Sequence, residues 1–360
     1  MTIMSKGSEG IDHERVVIRQ DAKTGLRLIV AVHSTVLGPA LGGMRLRAYP
    51  GGLPEALEDV LSLARTMTLK ASAAGLDLGG GKAVILDDGR SSGELRESRL
   101  RAAAAVVEDL GGAYITAEDI GTTTSDMDFV SRHTRWVVGL SEAGGGRGDP
   151  SPITAETVMR SMERGLAAAT GSGTLEGRDV GVIGVGKVGG SLARKLAHAG
   201  ARVVAFDVDP ARLGELAEEG VVEPAASEQA IFERELDVLA PCAAGGAVDD
   251  HVACRVVCGA ANNPLATPET AERLAQRGVL YVPDFLANCG GLINCSVEWR
   301  RAPGADVESH IATAMGRLDD ALEEARRTGQ PPVAVAERHA LERVEHARRA
   351  GPPPGLAAVA

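Results

Sequence analysis

The sequence predicts a two-domain α/β protein whose second half is a doubly wound parallel sheet. Three observations carry that expectation. From residue 179 onward, short runs of Val, Ile and Ala alternate with helical stretches, the pattern of repeated βα units. A chain of 360 residues is long enough for two domains, each with its own core. Between the halves, Glu142-Ala-Gly-Gly-Gly-Arg-Gly-Asp-Pro-Ser-Pro152 has the Gly and Pro density of a crossing between domains. The expected division is 1–145, 146–325 and a helical C-terminal segment, 326–360.

Along the first part, the strand-like runs 14–19 and 26–34 flank the turn Asp21-Ala-Lys-Thr-Gly25, which predicts paired strands. Residues 54–73 place Ala56, Leu57, Val60, Leu61, Ala64 and Met67 at helical spacing. A strand over 83–86, a helix over 97–110 and a short strand over 114–116 complete this α/β unit. Beyond the crossing, a helix over 154–169 leads to strands at 179–183, 202–206, 238–240, 256–258 and 280–282. Helices at 189–199 and 211–219 separate the first of them, and 310–327 and 333–349 form a closing helical pair.

Composition narrows the function. The net charge of −11, with no long basic run, argues against nucleic acid as a partner, because phosphate backbones require clustered Lys and Arg. The N-terminal residues lack an apolar signal core and no stretch is apolar enough for a membrane span, so no membrane partner and a cytoplasmic location are expected. Five cysteines, an odd number, read as free thiols of a reducing compartment. His251-x-x-Cys254-x-x-x-Cys258 has metal-ligand residue types, but its second cysteine falls in an expected buried strand and no fourth ligand is evident; no metal is expected. Cys242, Cys289 and Cys295 lack a histidine at nucleophile spacing and read as packing residues.

Gly184-Val-Gly186-Lys-Val-Gly189 follows an expected strand and opens an expected helix. In G-x-G-x-x-G the first glycine makes the tight turn, the second admits a pyrophosphate to the backbone, and the third allows helix and strand to pack closely. The next strand ends at Asp207, 18 residues past Gly189, where a carboxylate can accept both ribose hydroxyls. That combination predicts a Rossmann-type NAD domain. The carboxylate would repel a 2′-phosphate, although Arg212 close by keeps NADP open.

Two lysines flank a turn of small residues in Lys70-Ala-Ser-Ala-Ala-Gly-Leu-Asp-Leu-Gly-Gly-Gly-Lys82. Oxidising an amino acid requires a fixed cation for the substrate carboxylate and an amine able to act as a base near neutral pH. Two like charges in a cleft would lower the pKa of one of them. Surface lysines around a structural turn are the competing reading. Asp119 ends a short strand, a usual place for a catalytic carboxylate, but it could equally cap a helix starting near 123 or 125.

Several segments together resemble the leucine/phenylalanine/valine branch of the Glu/Leu/Phe/Val dehydrogenases: HSTVLGPALGGMR (33–45), TLKASAAGLDLGGGKAVI (68–85), YITAEDIGTT (114–123), GDPSPITA (148–155), GVGKVG (184–189), APCAAGGAV (240–248), CGAANNPLA (258–266) and PDFLANCGGLIN (283–294). The resemblance implies a substrate domain followed by an NAD domain, a C-terminal helix returning to the first domain across a closing cleft, and a homo-oligomer. It implies that Lys70, with the backbone at Gly43, grips the substrate carboxylate, that Lys82 is the general base and that Asp119 assists proton transfer. It places Thr154, Asn262 and Asn288 near the nicotinamide and the reacting substrate. Lys187, Val188, Ala240 and Cys242 join Gly184, Gly186, Gly189 and Asp207 in contacting the cofactor. Leu41, Met67, Leu292 and Cys295 resemble pocket-lining positions, and an aliphatic lining favours Val, Leu or Ile over Phe and disfavours Glu.

The implied activity is reversible NAD-dependent oxidative deamination of an apolar L-amino acid to a 2-oxo acid and ammonium. The chain departs from the family pattern at Ala71, Cys289, Ser296-Val-Glu-Trp299 and Thr154-Ala-Glu-Thr157. These departures leave room for a reductive aminase acting on a non-standard amino acid, or a silent NAD-binding regulator.

Overall fold

The computed structural model describes residues 12–243, 245–300 and 307–351, together with the backbone of 2–5. Packing divides the chain into two compact units: Met1–Asp149 with Asn294–Asp306 and Ala340–Ala360, and Pro150–Ile293 with Val307–His339. The boundaries expected from sequence, after 145 and 325, fall elsewhere. Among the described residues no helix is long and apolar enough to cross a membrane.

In the first unit, strands β1 (Thr2–Ser5), β2 (Arg15–Asp21), β3 (Leu26–Ser34) and β4 (Ala40–Arg47) precede helix α1 (Gly52–Ala73). Strand β5 (Gly79–Leu86), helix α2 (Gly93–Asp109), strand β6 (Tyr114–Glu118) and helix α3 (Thr124–Val130) follow. The sheet order is β1-β2-β3-β5-β4-β6. β1, β2, β3 and β5 pair antiparallel, whereas β4 runs parallel to both β5 and β6. Side chains alternate along β5. Val84 packs with Ala56, Val60 and Ala64 of α1, while Ala83 and Ile85 pack with Leu100 and Ala103 of α2. The sheet is therefore covered on both faces, and Lys82 shares the face of Val84, toward α1.

Two features of this sheet differ from the sequence expectation. Gly79–Gly81 are the first residues of β5 and not a turn. A Cβ on Gly80 would stand 2.1 Å from the Thr68 amide nitrogen and 2.6 Å from the Ala64 carbonyl oxygen, so glycine there lets α1 lie directly on the strand. The second is β4, absent from the sequence reading because Pro39, Gly42 and Gly43 break the strand signature. Its glycines are required: a Cβ on Gly42 would be 1.7 Å from the Gly81 carbonyl oxygen.

The second unit opens with α4 (Ser151–Thr170), then β7 (Asp179–Ile183), α5 (Lys187–His198), β8 (Arg202–Phe206), α6 (Pro210–Glu218), β9 (Glu223–Pro224), α7 (Glu228–Phe232) and β10 (Leu236–Pro241). It continues with β11 (Cys254–Val257), α8 (Thr270–Gln276), β12 (Leu280–Tyr281) and α9 (Asp284–Ala287). Helices α10 (Gly290–Arg300), α11 (Val307–Thr328) and α12 (Pro332–Ala350) complete the chain. The sheet order is β12-β11-β10-β7-β8-β9, with every pair parallel. The connections leave β7 in opposite directions, to β8 on one side and β10 on the other. The carboxyl end of β7 is thus the switch point where open α/β sheets bind ligands.

Candidate active site

The first unit gathers a row of charges on β4 and β5 and in the turn after β6. Lys82 Nζ lies 2.7 Å from Asp119 Oδ2, and the Arg45 Nε donates to the same oxygen at 3.1 Å. Arg45 also pairs with Asp59 of α1 at 3.0 Å, and the Tyr49 hydroxyl donates to Asp59 at 2.5 Å. Lys82 is buried, and Asp119 nearly so. Burial pushes the Asp119 pKa up, but the attraction of Lys82 and Arg45 outweighs it and holds the carboxyl below its usual value. The structure pairs Lys82 with a carboxylate, a partner that the two-lysine argument from sequence did not include.

The turn after β6 is locked so that Asp119 points back at β5. The Asp119 amide donates to Thr122 Oγ1 at 2.9 Å, and the Thr122 hydroxyl donates to the Met44 carbonyl at 2.8 Å. Gly121 has φ +81°, and a Cβ there would meet the Leu46 carbonyl oxygen at 1.9 Å. Asp119 does not cap α3. Thr123 caps it, in a reciprocal box with Asp126.

Gly43 sits beneath this turn. A Cβ on it would lie 2.6 Å from Asp119 Cβ and 2.6 Å from the Glu118 carbonyl oxygen. Gly43→Ala is therefore expected to displace the carboxylate and cost about a hundredfold in kcat/KM, the scale of an ångström-level misplacement. Steady-state kinetics, with circular dichroism confirming the fold, check this.

Lys70 is buried near the C-terminal end of α1. That end is held by α12: the Ser72 hydroxyl donates to the Ala340 carbonyl at 2.7 Å, and Arg343 donates to the Leu76 carbonyl at 2.8 Å and pairs with Asp77 at 3.0 Å. The C-terminal helix thus packs on the first unit at the helix end that carries Lys70. Leu41 is buried two residues before Gly43 on β4, and Met67 is half-buried on α1. Burial pushes the Cys295 thiol up to about 12, with Glu298 and Glu118 adding to the shift. Among the altered segments, Ala71 and Cys289 are fully buried. Glu298 accepts the Leu140 and Arg147 amides at 3.1 and 3.2 Å, and Trp299 stacks obliquely on Trp136 at 5.5 Å. The changed run thus ties down loop 140–147.

A buried histidine pair bridges β3 and α1. His33 Nδ1 lies 2.8 Å from Thr68 Oγ1, and His13 Nε2 lies 3.0 Å from the Leu61 carbonyl oxygen. Burial lowers both pKa values, that of His33 to about 4 from 6.5. Between those values the unfolded chain binds a proton that the native state refuses, so stability is lost as pH falls from about 6.5 toward 4. The expected outcome is a Tm that drops across this window and a shallower drop in His33→Gln, measured by thermal melts.

In the second unit the glycine motif lies where the sequence placed it. Gly184 has φ +91°, and a Cβ on Gly189 would fall 1.9 Å from the Gly184 carbonyl oxygen, so the third glycine is what lets α5 close on β7. Asp207, just past β8, accepts the Val185 amide at 2.6 Å and the Asp209 amide at 2.8 Å. A cavity of about 290 Å³ is lined by Gly184, Gly186, Asp207, Val208, Arg212 and Cys242, among others. Arg212 pairs with Asp209 at 3.1 Å. Burial raises the Cys242 thiol pKa to about 11, which keeps that thiol protonated and inert.

Cys242 borders the motif, since a Cβ on Gly189 would touch it at 3.1 Å, and so does Ala243, which a Cβ on Gly184 would touch at 2.8 Å; Ala240 lies within β10, paired with Val182 of β7. Lys187 and Val188 form the first turn of α5. A separate group joins Asn262 to Asn288, and Thr154 lies beside Gly290, two residues further on. The Asn288 amide donates to Asn262 Oδ1 at 3.0 Å, and a Cβ on Gly290 would lie 2.7 Å from Thr154 Cα. Asn288 Oδ1 is buried with no hydrogen-bond partner among the described residues, an acceptor suited to a ligand. Leu292 follows on α10, buried.

Sequence reasoning missed Arg45, Asp59 and Tyr49 as part of the charged centre, and Val208 at the cavity. Arg45 closes the segment 33–45 and could have been found there. Val208 is 91% exposed, an unusual state for valine that sequence does not reveal.

A family model described as Glu/Leu/Phe/Val dehydrogenase, dimerisation domain, matches residues 13–136, and one described as Glutamate/Leucine/Phenylalanine/Valine dehydrogenase matches 207–351. The chain is 44% identical to the valine dehydrogenase of Streptomyces virginiae over 341 residues, 92% of this chain and 94% of that one. It is 40% identical to the leucine dehydrogenase of Thermoactinomyces intermedius over 343 residues, 93% and 92% of the two chains. Among solved structures, the L-tryptophan dehydrogenase of Nostoc punctiforme superposes with a TM-score of 0.79 at 31% identity, covering 94% of this chain and 97% of that one. The hetero-hexameric glutamate dehydrogenase of Thermus thermophilus gives 0.76 at 28% identity, covering 95% and 91%. The chain belongs to the Glu/Leu/Phe/Val dehydrogenase family and is an amino-acid dehydrogenase acting on a CH–NH2 group.

Proposed function

We propose that the chain catalyses the NAD-dependent oxidative deamination of an aliphatic L-amino acid, with Val, Leu and Ile as the substrate class, and the reverse reductive amination. The observation that carries this reading is the 2.7 Å Lys82–Asp119 pair, an amine on β5 and a carboxylate in the turn after β6, joined across β4. Lys70 supplies the fixed cation for the substrate carboxylate, assisted by the Gly43 backbone. Lys82, once deprotonated, takes the proton from the water that attacks the substrate imine. Asp119 holds a proton-accepting oxygen beside the amine and orients Lys82. Leu41, Met67 and Cys295 would supply an apolar lining in the first unit, which agrees with relatives named leucine and valine dehydrogenases.

In the second unit, Gly184, Gly186, Lys187, Val188 and Gly189 would hold the cofactor's pyrophosphate against the start of α5. Asp207 would accept its ribose hydroxyls, and the exposed Val208 offers an apolar face to the adenine. Ala240 and Cys242 would border the phosphates, with Thr154, Asn262 and Asn288 at the nicotinamide. When bound, the nicotinamide accepts a hydride from the substrate α-carbon. The Asp207 carboxylate supports NAD over NADP, because it would face a 2′-phosphate with like charge. A homo-oligomer in the cytoplasm completes the reading, supported by the dimerisation description of the matching family model and by five free thiols.

Initial rates of NADH formation with L-Val, L-Leu, L-Ile, L-Phe and L-Glu, each with NAD and with NADP, test the proposal. Highest kcat/KM for an aliphatic substrate with NAD supports it; turnover confined to L-Phe or L-Glu, or to NADP, refutes it.

A further inference from the structure

Asp119 receives two cations on one oxygen, Lys82 at 2.7 Å and Arg45 at 3.1 Å. A buried carboxylate with a single ammonium partner would favour the protonated lysine strongly and make it a poor base. A second cation on the same oxygen takes a share of that attraction, and arginine never gives up its proton. Beyond Arg45 the row continues with Asp59 at 3.0 Å, to which the Tyr49 hydroxyl donates at 2.5 Å. The guanidinium is thereby clamped from its Nη1 side, leaving its Nε edge aimed at Asp119. Signs alternate along the row, so each charge is compensated despite its burial.

We propose that Arg45 is a positioning residue for the deamination, clamped by Asp59 and Tyr49, which shares the Asp119 carboxylate with Lys82 and so lowers the pH at which Lys82 becomes a base. This inference rests on the reading of Lys82 as general base. The ionisable groups placed around the pair are Arg45 of β4, Asp59 of α1 and Tyr49 of the loop before it, reached through Arg45, and Tyr114 and Glu118 of β6. Tyr114 is fully buried and donates to the Gly42 carbonyl at 2.6 Å, and Glu118 is engaged by the Thr124 hydroxyl at 2.8 Å. That leaves Arg45 as the fixed cation bonded to Asp119 beside Lys82.

The test is the pH profile of kcat/KM for L-valine oxidation in the wild type, Arg45→Gln, Arg45→Lys, Asp59→Asn and Tyr49→Phe. Removing a positive charge beside Lys82 favours its protonated form, so Arg45→Gln should move the acidic limb up by about one pH unit. Arg45→Lys keeps the charge and should return the limb to near its wild-type position while losing rate, because lysine lacks the fork that reaches both Asp119 and Asp59. Asp59→Asn removes a negative charge and should move the limb the opposite way, downward. Tyr49→Phe changes no charge and should leave the limb in place.

A merely structural role would lower the rate and leave every limb where it was, and that result overturns the proposal, as does a shift of the same sign in Arg45→Gln and Asp59→Asn. The Asp59→Asn shift decides the matter alone where Arg45→Gln does not fold. Wild-type protein without amino-acid turnover, or Lys82→Met protein with undiminished turnover, refutes the deamination reading itself, an outcome separate from any limb position.

Discussion

Replacing Lys82 by methionine is expected to lower kcat for amino-acid oxidation by about a thousandfold, within the range spanned by general acid–base groups. Methionine keeps the length and apolar stem of the side chain while removing the only group on β5 that can take the proton. The fold should survive, because Asp119 retains Arg45 at 3.1 Å and is not left as an unpaired buried charge. Binding of NADH, followed by its fluorescence, should be unchanged, since the glycine motif and Asp207 lie in the second unit. A loss of turnover with intact cofactor binding isolates the chemistry; a loss of both would instead indicate a collapsed protein.

The second large effect falls on Asp207. Its carboxylate organises the start of the nucleotide site by accepting the amides of Val185 and Asp209, and it lies on the wall of the 290 Å³ cavity. Asp207→Ser is expected to raise KM for NAD by about 10- to 100-fold, the equivalent of roughly 1.5–3 kcal/mol for hydrogen bonds to a charged group. Saturating NAD should restore most of kcat, because the lost interaction is with the ribose and not with the reacting atoms. The same variant should narrow the preference for NAD over NADP, and Arg212, 3.1 Å from Asp209, is the cation available to a 2′-phosphate. Parallel titrations with the two cofactors measure both effects.

The parts legible in sequence were those with a periodic signal or a steric rule. β3, β7 and β8 lie at the residues expected, because each is a short β-branched run bounded by turn residues. The nucleotide motif was readable because its glycines answer to backbone constraints that hold wherever a strand runs into a helix. β4 was not readable. It is a central strand, buried almost throughout, and its glycines are dictated by the neighbouring backbones of β5 and β6, which lie far away in sequence. Gly79–Gly81 failed for the same reason: local propensity says turn, whereas close neighbours distant in sequence, Ser34 at Gly79, α1 at Gly80 and Tyr114 at Gly81, demand glycine within a strand.

At the charged centre, Lys82 and Asp119 were singled out from sequence, but their partnership was not derivable from spacing. It depends on β4 standing between β5 and β6. The network that reaches Asp59 joins residues of β4, β5 and α1, the turn after β6 and the loop before α1, and Asp59 by itself looks like any polar position on an amphipathic helix. Thr123 took the helix-capping role that had been open to Asp119, leaving the aspartate for the lysine.

The most direct test of the central claim follows the hydrogen itself. Wild-type protein is mixed with NAD and L-valine carrying deuterium at the α-carbon, and the products are examined by mass spectrometry after limited turnover. The account predicts singly deuterated NADH, formed in equal amount with the 2-oxo acid and ammonium, and none of these products from Lys82→Met on the same timescale. Formation of the 2-oxo acid with unlabelled NADH, or undiminished product formation by the Lys82 variant, would contradict it.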